Sequence, residues 1–315
     1  MKNFYSNIYS FNKKILRKTV KILKEGNLAG LPTETVYGLA GNAYSKNAVK
    51  KIFKLKKRPR KNPLIIHYKS INDAKIDVIL NDDFYKLYRK FCPGPITFIL
   101  KKSKNSKITS LATANLNTVA IRFPKNKILN SILKLINFPL AMPSANLSSK
   151  LSPVQASDVF DDFKKKLSII INGGISKIGI ESTVIDLSEK PKILRPGFIS
   201  ETEIKGILQK TFSKKKSKIK SPGMLKKHYS PGVPIIFGRK PKSLNHAYIF
   251  YGKKHKNFKN YFNLSKKGDL KEAASNLYKI MRKIKKKGFK KIFINKFPKK
   301  GLGIAMNDRL KRASK

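Results

Sequence analysis

The chain has 315 residues, enough for about two domains of the usual roughly 100–200 residues, and 40% of them are hydrophobic. It can therefore bury a real core and is neither disordered nor fibrous. Lysine and arginine number 71 against 17 acidic residues, a formal charge of +54, which makes polyanions natural partners. Most of this charge is lysine spread evenly along the chain, the usage toward which an AT-rich genome drifts, so charge alone marks no recognition surface.

Apolar residues at helical spacing (Ile15, Leu16, Val20, Ile22, Leu23) predict a helix over 12–25, stopped by Gly26. LAGLP (28–32) reads as a buried strand running into a turn. Ser45 caps a predicted helix carrying Val49, Ile52 and Phe53, which ends before Pro59. PLIIHY (63–68) is a strand and 82–91 a short helix; ITFIL (96–100), VAIRF (119–123) and PLAM (139–142) are strands. Ser152-Pro153 reads as a helix start, with serine as N-cap and proline at the first helical position. Strands follow at 167–171, 182–187 and 192–194, then a helix at about 201–211.

SKKKSKIKSP, beginning at 213, reads as a charged linker. Beyond it lie strands at 234–237, 247–251 and 291–295, a helix near 269–287 and a last helix from about 304, the order of a small βαβ unit. The expected architecture is α/β. It has a twisted mixed β-sheet domain over 1–212, a linker over 213–232 and a smaller Rossmann-like α/β domain over 233–315.

Several chemistries are excluded or unsupported. Cys92 is the only cysteine, so neither an intramolecular disulfide nor a cysteine-based metal cluster can form. The four histidines lack metal-ligand spacing, and no metal ligands are expected. GGISKIG (173–179) has the glycines of a phosphate loop, but Ile180-Glu181 stands where Lys-Ser/Thr is required. GLG (301–303) is only a fragment of a dinucleotide fingerprint, and no nucleophile elbow occurs. No run reaches the ~18 apolar residues of a membrane span. The expectation is a cytoplasmic protein with no membrane partner.

What remains is a set of polar segments at strand ends. LPTETVYGLAGNA (31–43) places two threonines and a glutamate after a buried strand, where a capping turn is the simplest role. FCPGPIT (91–97) is a rigid turn. TVAIRFP (118–124) sets Arg122 inside an apolar strand, where a guanidinium needs an anionic partner from protein or ligand. In MPSANLSSKLSP (142–153), Ser144 and Asn146 share one face of an extended segment. IGIESTVIDL (178–187) brings Glu181, Ser182 and Thr183 to the head of a strand. LRPG (194–197) gives an isolated Arg195, and SPGMLKKHYSP (221–231) a His-Tyr pair. Together they suggest one pocket lined from many loops.

These segments, with KLKKRPRKNPLIIH (54–67), resemble in order and spacing the YrdC-like threonylcarbamoyl-AMP synthases. SPGMLKKHYSP and the ending FPKKGLGIAMNDRLKRA resemble that family's long, two-domain form. The resemblance covers about 15–315 and is weakest over 238–268. It implies synthesis of L-threonylcarbamoyladenylate from L-threonine, bicarbonate and ATP with release of pyrophosphate. The product would serve the tRNA-modification machinery that places threonylcarbamoyl-adenosine beside the anticodon. The family pattern KxR…SxN falls on Lys56, Arg58, Ser144 and Asn146.

By the same resemblance, Lys56, Arg58, Asn62, Thr118, Ser144, Asn146, Ser152 and Arg195 would hold ATP, with Tyr229 closing over the nucleotide. Thr35, His67, Arg122 and Ser182 would hold threonine, Lys56 and Arg58 would be essential for turnover, and Mg²⁺ would accompany ATP. The alternative expectation is an RNA-binding relative without synthase activity, and weak RNA binding is compatible with either. Cys92 stands where the family usually has tryptophan, and Lys57 and Ser149 stand where it commonly has glycine.

Overall fold

The computed structural model describes residues 7–213, 221, 228–238, 243–252 and 258–315. The predicted linker falls largely on 214–220 and 222–227, outside the described residues. In chain order the first part contains β1 (Ile8–Ser10), α1 (Lys13–Lys24), β2 (Ala29–Leu31), β3 (Gly38–Asn42), α2 (Lys46–Lys56) and β4 (Ile65–His67). It continues with α3 (Ile71–Ala74), α4 (Asp82–Phe91), β5 (Ile96–Lys101), α5 (Ser110–Thr113), β6 (Thr118–Arg122), α6 (Lys127–Lys134) and β7 (Leu140–Ala141). It ends with α7 (Ala156–Phe163), β8 (Ile170–Asn172), β9 (Thr183–Asp186), β10 (Lys192–Arg195) and α8 (Glu201–Leu208). The second part contains β11 (Ile235–Phe237), β12 (His246–Phe250), β13 (Tyr261–Asn263), α9 (Leu270–Lys286), β14 (Lys291–Ile294) and α10 (Leu302–Ala313).

The first part is a 10-stranded mixed sheet in the order β1-β8-β2-β3-β7-β4-β6-β5-β9-β10. β4 pairs parallel with β6 and β5 parallel with β9, while β2–β3, β3–β7, β4–β7, β5–β6 and β9–β10 are antiparallel. Apolar side chains are buried on both faces: one core forms around Ile52, Phe84, Phe98 and Phe160, another around Leu23, Leu129, Leu140 and Ile171. The second part is a four-stranded parallel sheet in the order β11-β14-β12-β13. The two parts share a core, since Val36, Leu151, Val154 and Ile180 pack in one cluster with Leu277, Tyr278, Met281 and Met306.

That shared surface is close and charged. A Cβ on Gly179 (φ +75) would lie 2.4 Å from the Ser275 backbone, so only glycine allows α9 to approach there. Arg282 of α9 donates to the Leu151 carbonyl and to Asp162 at 3.0 Å, and Lys286 pairs with Asp161 at 2.6 Å.

Three sequence expectations are corrected. Residues 38–42 are strand β3 rather than part of a capping turn, a short strand that the hairpin with β2 and the pairing with β7 impose. Two further strands, β1 and β13, carry no clear signal; each has only three residues and depends on its sheet neighbour. Ser152 does not cap a helix. α7 begins at Ala156 after Gln155, and the Ser152 hydroxyl donates instead to Glu181.

Lys57 (φ 51) and Ser149 (φ 67), the two positions where the resemblance implies glycine, both adopt the left-handed conformation. A side chain there costs about 1 kcal/mol, partly offset by the larger chain entropy glycine loses on folding. Lys57→Gly and Ser149→Gly should each raise the melting temperature by about 2 °C. A fall in scanning calorimetry would mean that the entropy loss outweighs the relief of strain.

Candidate active site

In open α/β sheets, ligands gather where parallel strands end, because backbone groups and loop side chains converge there. Here β4 and β6 end side by side, with His67 and Arg122 as register partners. Six other segments complete a cleft. It is lined by Thr33, Thr35 and Tyr37 of the β2–β3 hairpin, Arg58 beyond α2, Met142–Ser144 beyond β7, Glu181 before β9, Arg195 at the end of β10, and His228-Tyr229 of the second part's leading segment. Tyr37 is pinned by its hydroxyl, which donates to the Gly174 carbonyl at 2.7 Å and accepts from the Gly173 amide.

Of the residues expected from the sequence, Thr35, Arg58, His67, Arg122, Ser144, Arg195 and Tyr229 line this cleft. Arg58 is held by its own loop, donating through Nε to the Asn62 carbonyl at 3.0 Å and through Nη2 to the Pro63 carbonyl at 2.9 Å. Arg195 follows a register shift in β10, an irregularity that re-aims a side chain. It donates to the Ser182 carbonyl at 3.1 Å and to its hydroxyl at 3.0 Å. Ser182 in turn shares a hydrogen bond with Thr97 at 2.8 Å. A Cβ on Gly197 would fall 2.3 Å from the Thr183 nitrogen, so the Arg-Pro-Gly turn lies flat against this backbone.

Arg122 finds its anionic partner within the protein: it donates to Glu34 at 2.8 Å, both side chains being nearly buried. The sequence left protein and ligand open as partners for this guanidinium. The pair leaves Arg122 Nε and Glu34 Oε2 without protein partners. The hydroxyl of Thr35 is hydrogen-bonded to that of Thr33 at 2.8 Å.

Lys56, Asn62, Asn146, Ser152 and Ser182 lie behind the lining. Lys56 is buried and donates to the carbonyls of Ser144 and of Asn146, so it staples α2 to the 142–146 loop. The Asn146 side chain donates to the carbonyls of Leu147 at 2.7 Å and Lys150 at 2.9 Å. Both polar atoms of the Asn62 side chain are buried without protein partners. Thr118 is not brought to the cleft: it opens β6 opposite Lys101, about 13 Å along the strand from Arg122 at ~3.3 Å per residue.

The electrostatics favour an anion. Burial pushes the Arg58 guanidinium down to about 9, and nearby Arg195 adds to the effect. Arg195 is likewise lowered, mainly by burial, with Arg309 and Arg122 among the opposing charges. Lys56 is lowered well below its usual value by burial and by Arg58. His67 and His228 are each pushed down to about 3, chiefly by burial, so both imidazoles are neutral at physiological pH. Three guanidiniums sharing one cleft repel one another, and an anionic ligand relieves that repulsion. Glu181 remains charged: despite its burial, Arg309, Arg195 and the Ser152 hydroxyl hold its pKa at about 2.

Sequence reasoning gave no site role to Glu34, Tyr37, His228 or Arg309. Glu34 and His228 stood inside quoted motifs, but their partners lie 88 or more residues away or in another element. Arg309 had a usable signal. It falls on the helical stripe Leu302, Ala305, Met306 and Ala313, where an arginine must meet a buried anion.

Known proteins agree with this architecture. Residues 21–197 match the Sua5/YciO/YrdC family model, described as "Telomere recombination", and residues 199–315 match "Threonylcarbamoyl-AMP synthase, C-terminal domain". The threonylcarbamoyl-AMP synthase of Pyrococcus abyssi is 37% identical, with 95% of this chain and 94% of that protein aligned. The Bacillus subtilis protein of the same name is 32% identical over 97% of this chain and 94% of its own length. The crystal structure of P. abyssi Sua5 complexed with L-threonine superposes with a TM-score of 0.89 at 34% identity, covering 98% of this chain and 97% of that one. The fold of the first part alone recurs in Escherichia coli YciO, with a TM-score of 0.56 at 21% identity. With both halves matched in order and the whole chain superposable, this protein belongs to the threonylcarbamoyl-AMP synthase family, in its two-part Sua5 form.

Proposed function

We propose that the protein makes L-threonylcarbamoyladenylate from L-threonine, bicarbonate and ATP. The observation that carries this reading is the convergence of Arg58, Arg122 and Arg195 on one cleft that also holds the unpartnered Arg122 Nε and Tyr229 hydroxyl, with the unpartnered Glu34 Oε2 on the carboxylate paired to Arg122. Buried polar atoms without partners are uncommon in native proteins, and a cluster of them calls for a polar ligand. A relative of this chain is known in complex with L-threonine, and that amino acid has the matching groups. Its carboxylate suits the Arg122 fork and its ammonium suits the second Glu34 oxygen.

In the reaction, the threonine amine and bicarbonate combine to a carbamate with loss of water. A carbamate oxygen then attacks the α-phosphorus of ATP, forming a P–O bond as the bond to pyrophosphate breaks. Two anions approach and a third leaves, so charge screening and positioning are the main requirements. Arg58 and Arg195 are the cleft cations for the triphosphate. The Thr35 hydroxyl lines the threonine end, Ser182 supports Arg195 from behind the lining, and no side-chain nucleophile is needed.

No group of three His, Cys, Asp or Glu side chains suited to a metal gathers among the described residues. Glu34 is paired with Arg122 and Glu181 with Arg309, so both carboxylates at the cleft are already engaged among the described residues. Mg²⁺ would accompany the ATP phosphates, which with water meet its demand for oxygen ligands. The adenylate would pass to the tRNA-modification machinery, which sets the expectation of a cytoplasmic location. No helix among the described residues is long and apolar enough to cross a membrane.

The test is pyrophosphate release from ATP with the purified protein. Strict dependence on both threonine and bicarbonate is the expected result, and no turnover under any combination overturns the reading. An RNA-binding role without synthase activity has no observation in its favour beyond the charge of +54, and weak RNA contact would accompany catalysis rather than replace it.

A further inference from the structure

The last helix reaches the wall of the cleft. Arg309 of α10 is 1% exposed and donates through Nε to Glu181 at 2.8 Å and through Nη2 to the Pro196 carbonyl at 2.9 Å. Its guanidinium carbon lies 5.0 Å from the centre of the Tyr229 ring, in cation–π range. Tyr278 of α9 stacks on Tyr229 with ring centres 6.0 Å apart, and its hydroxyl donates to Glu181 at 3.2 Å. Tyr229 itself sits at φ 64, a conformation a tyrosine adopts only when its surroundings impose it.

Glu181 therefore receives bonds from both parts of the protein, from Ser152 on one side and from Arg309 and Tyr278 on the other. It immediately precedes Ser182, to which Arg195 is bonded, and Arg309 also grips the carbonyl of the residue after Arg195. One side chain from the C-terminal helix thus touches the segments carrying Glu181, Arg195 and Tyr229.

We propose that Arg309 is a positioning residue of the active site, which sets Tyr229 over the cleft and fixes the Glu181–Arg195 wall, so that the second part completes the nucleotide end of the site. This inference rests on the synthase reading above. It assigns the C-terminal part a role in closure rather than in docking alone. An interface ion pair with only a structural role would be satisfied by any cation opposite Glu181. Positioning requires the planar fork, which can bond Glu181 and Pro196 while facing an aromatic ring.

Arg309→Lys keeps the charge and removes the fork. Its expected behaviour is a melting temperature close to that of the parent, kcat/KM for ATP lowered about tenfold, and threonine KM within about threefold of the parent. Tyr229→Leu should lower the same ATP parameter, and combining it with Arg309→Lys should lower it no further, since both act through one ring. Arg309→Met with Glu181→Gln removes the buried pair together and guards against misfolding of the single variants. It should stay folded and keep the ATP defect. Parental ATP kinetics in Arg309→Lys or in the folded double variant, or fully additive losses with Tyr229→Leu, overturn the proposal. Failure of the parent protein to release pyrophosphate would instead overturn the synthase reading.

Discussion

Arg58→Ala should lower kcat by about a thousandfold while leaving the melting temperature within a few degrees of the parent. Among the described residues the guanidinium is anchored to carbonyls of its own loop, at Asn62 and Pro63, rather than to distant elements. Its burial among Arg195 and other cations is costly without an anion, so its value is realised when the triphosphate binds and negative charge develops. Loss of one preorganised charge-stabilising group at a reacting centre typically costs about 3–4 kcal/mol of transition-state stabilisation. Lys56→Met should behave differently. Lys56 ties the end of α2 to the carbonyls of Ser144 and Asn146, so its removal should lower both melting temperature and turnover. Steady-state kinetics with parallel calorimetry separates the two. An Arg58→Ala enzyme with turnover near the parent's would remove Arg58 from the mechanism.

Arg122→Ala should raise the threonine KM about a hundredfold and leave the ATP KM nearly unchanged. A desolvated charge-assisted pair is worth about 2–5 kcal/mol when one partner is truncated. The same change strands the Glu34 carboxylate beside its lost partner, so the variant should also melt several degrees lower. Arg122→Lys separates these effects. It keeps a cation against Glu34 but cannot offer two parallel donors to a carboxylate, so stability should recover while threonine affinity does not. Isothermal titration with L-threonine checks binding without turnover. Unchanged affinity in both variants would show that the carboxylate is held elsewhere.

Much of the fold was legible because its signals are local. α4 matches its predicted range, with Asn81 as N-cap, and α1 and α9 lie within a residue or two of theirs. Each has an apolar stripe and a capping side chain, and both are read within one or two helical turns. β3 was not legible, since Gly38–Asn42 has no β-branched residue and becomes a strand only between β2 and β7. Ser152 misled for a related reason. Ser-Pro is a sound helix start in isolation, but a carboxylate 29 residues away takes the hydroxyl.

The site divides in the same way. Quoted motifs contain every cleft residue, because the segments at strand ends carry unusual polar side chains against an apolar background. Their roles were less legible. Lys56 and Arg58 sit two residues apart and look equivalent in sequence, yet one faces backbone carbonyls and the other lines the cleft.

From its sequence alone, the chain determined its α/β class and the set of segments from which a site could be built. Propensity, capping and motif spacing are properties of neighbouring residues, so they survive without a structure. Only the tertiary structure decided that Arg122 meets Glu34, that Lys56 is a staple, and that Arg309 reaches Glu181 across 128 positions. Burial strengthens electrostatics and removes competing water, but it arises only when distant segments pack. The partners that give these charges their function are therefore written in the packing rather than in the local sequence.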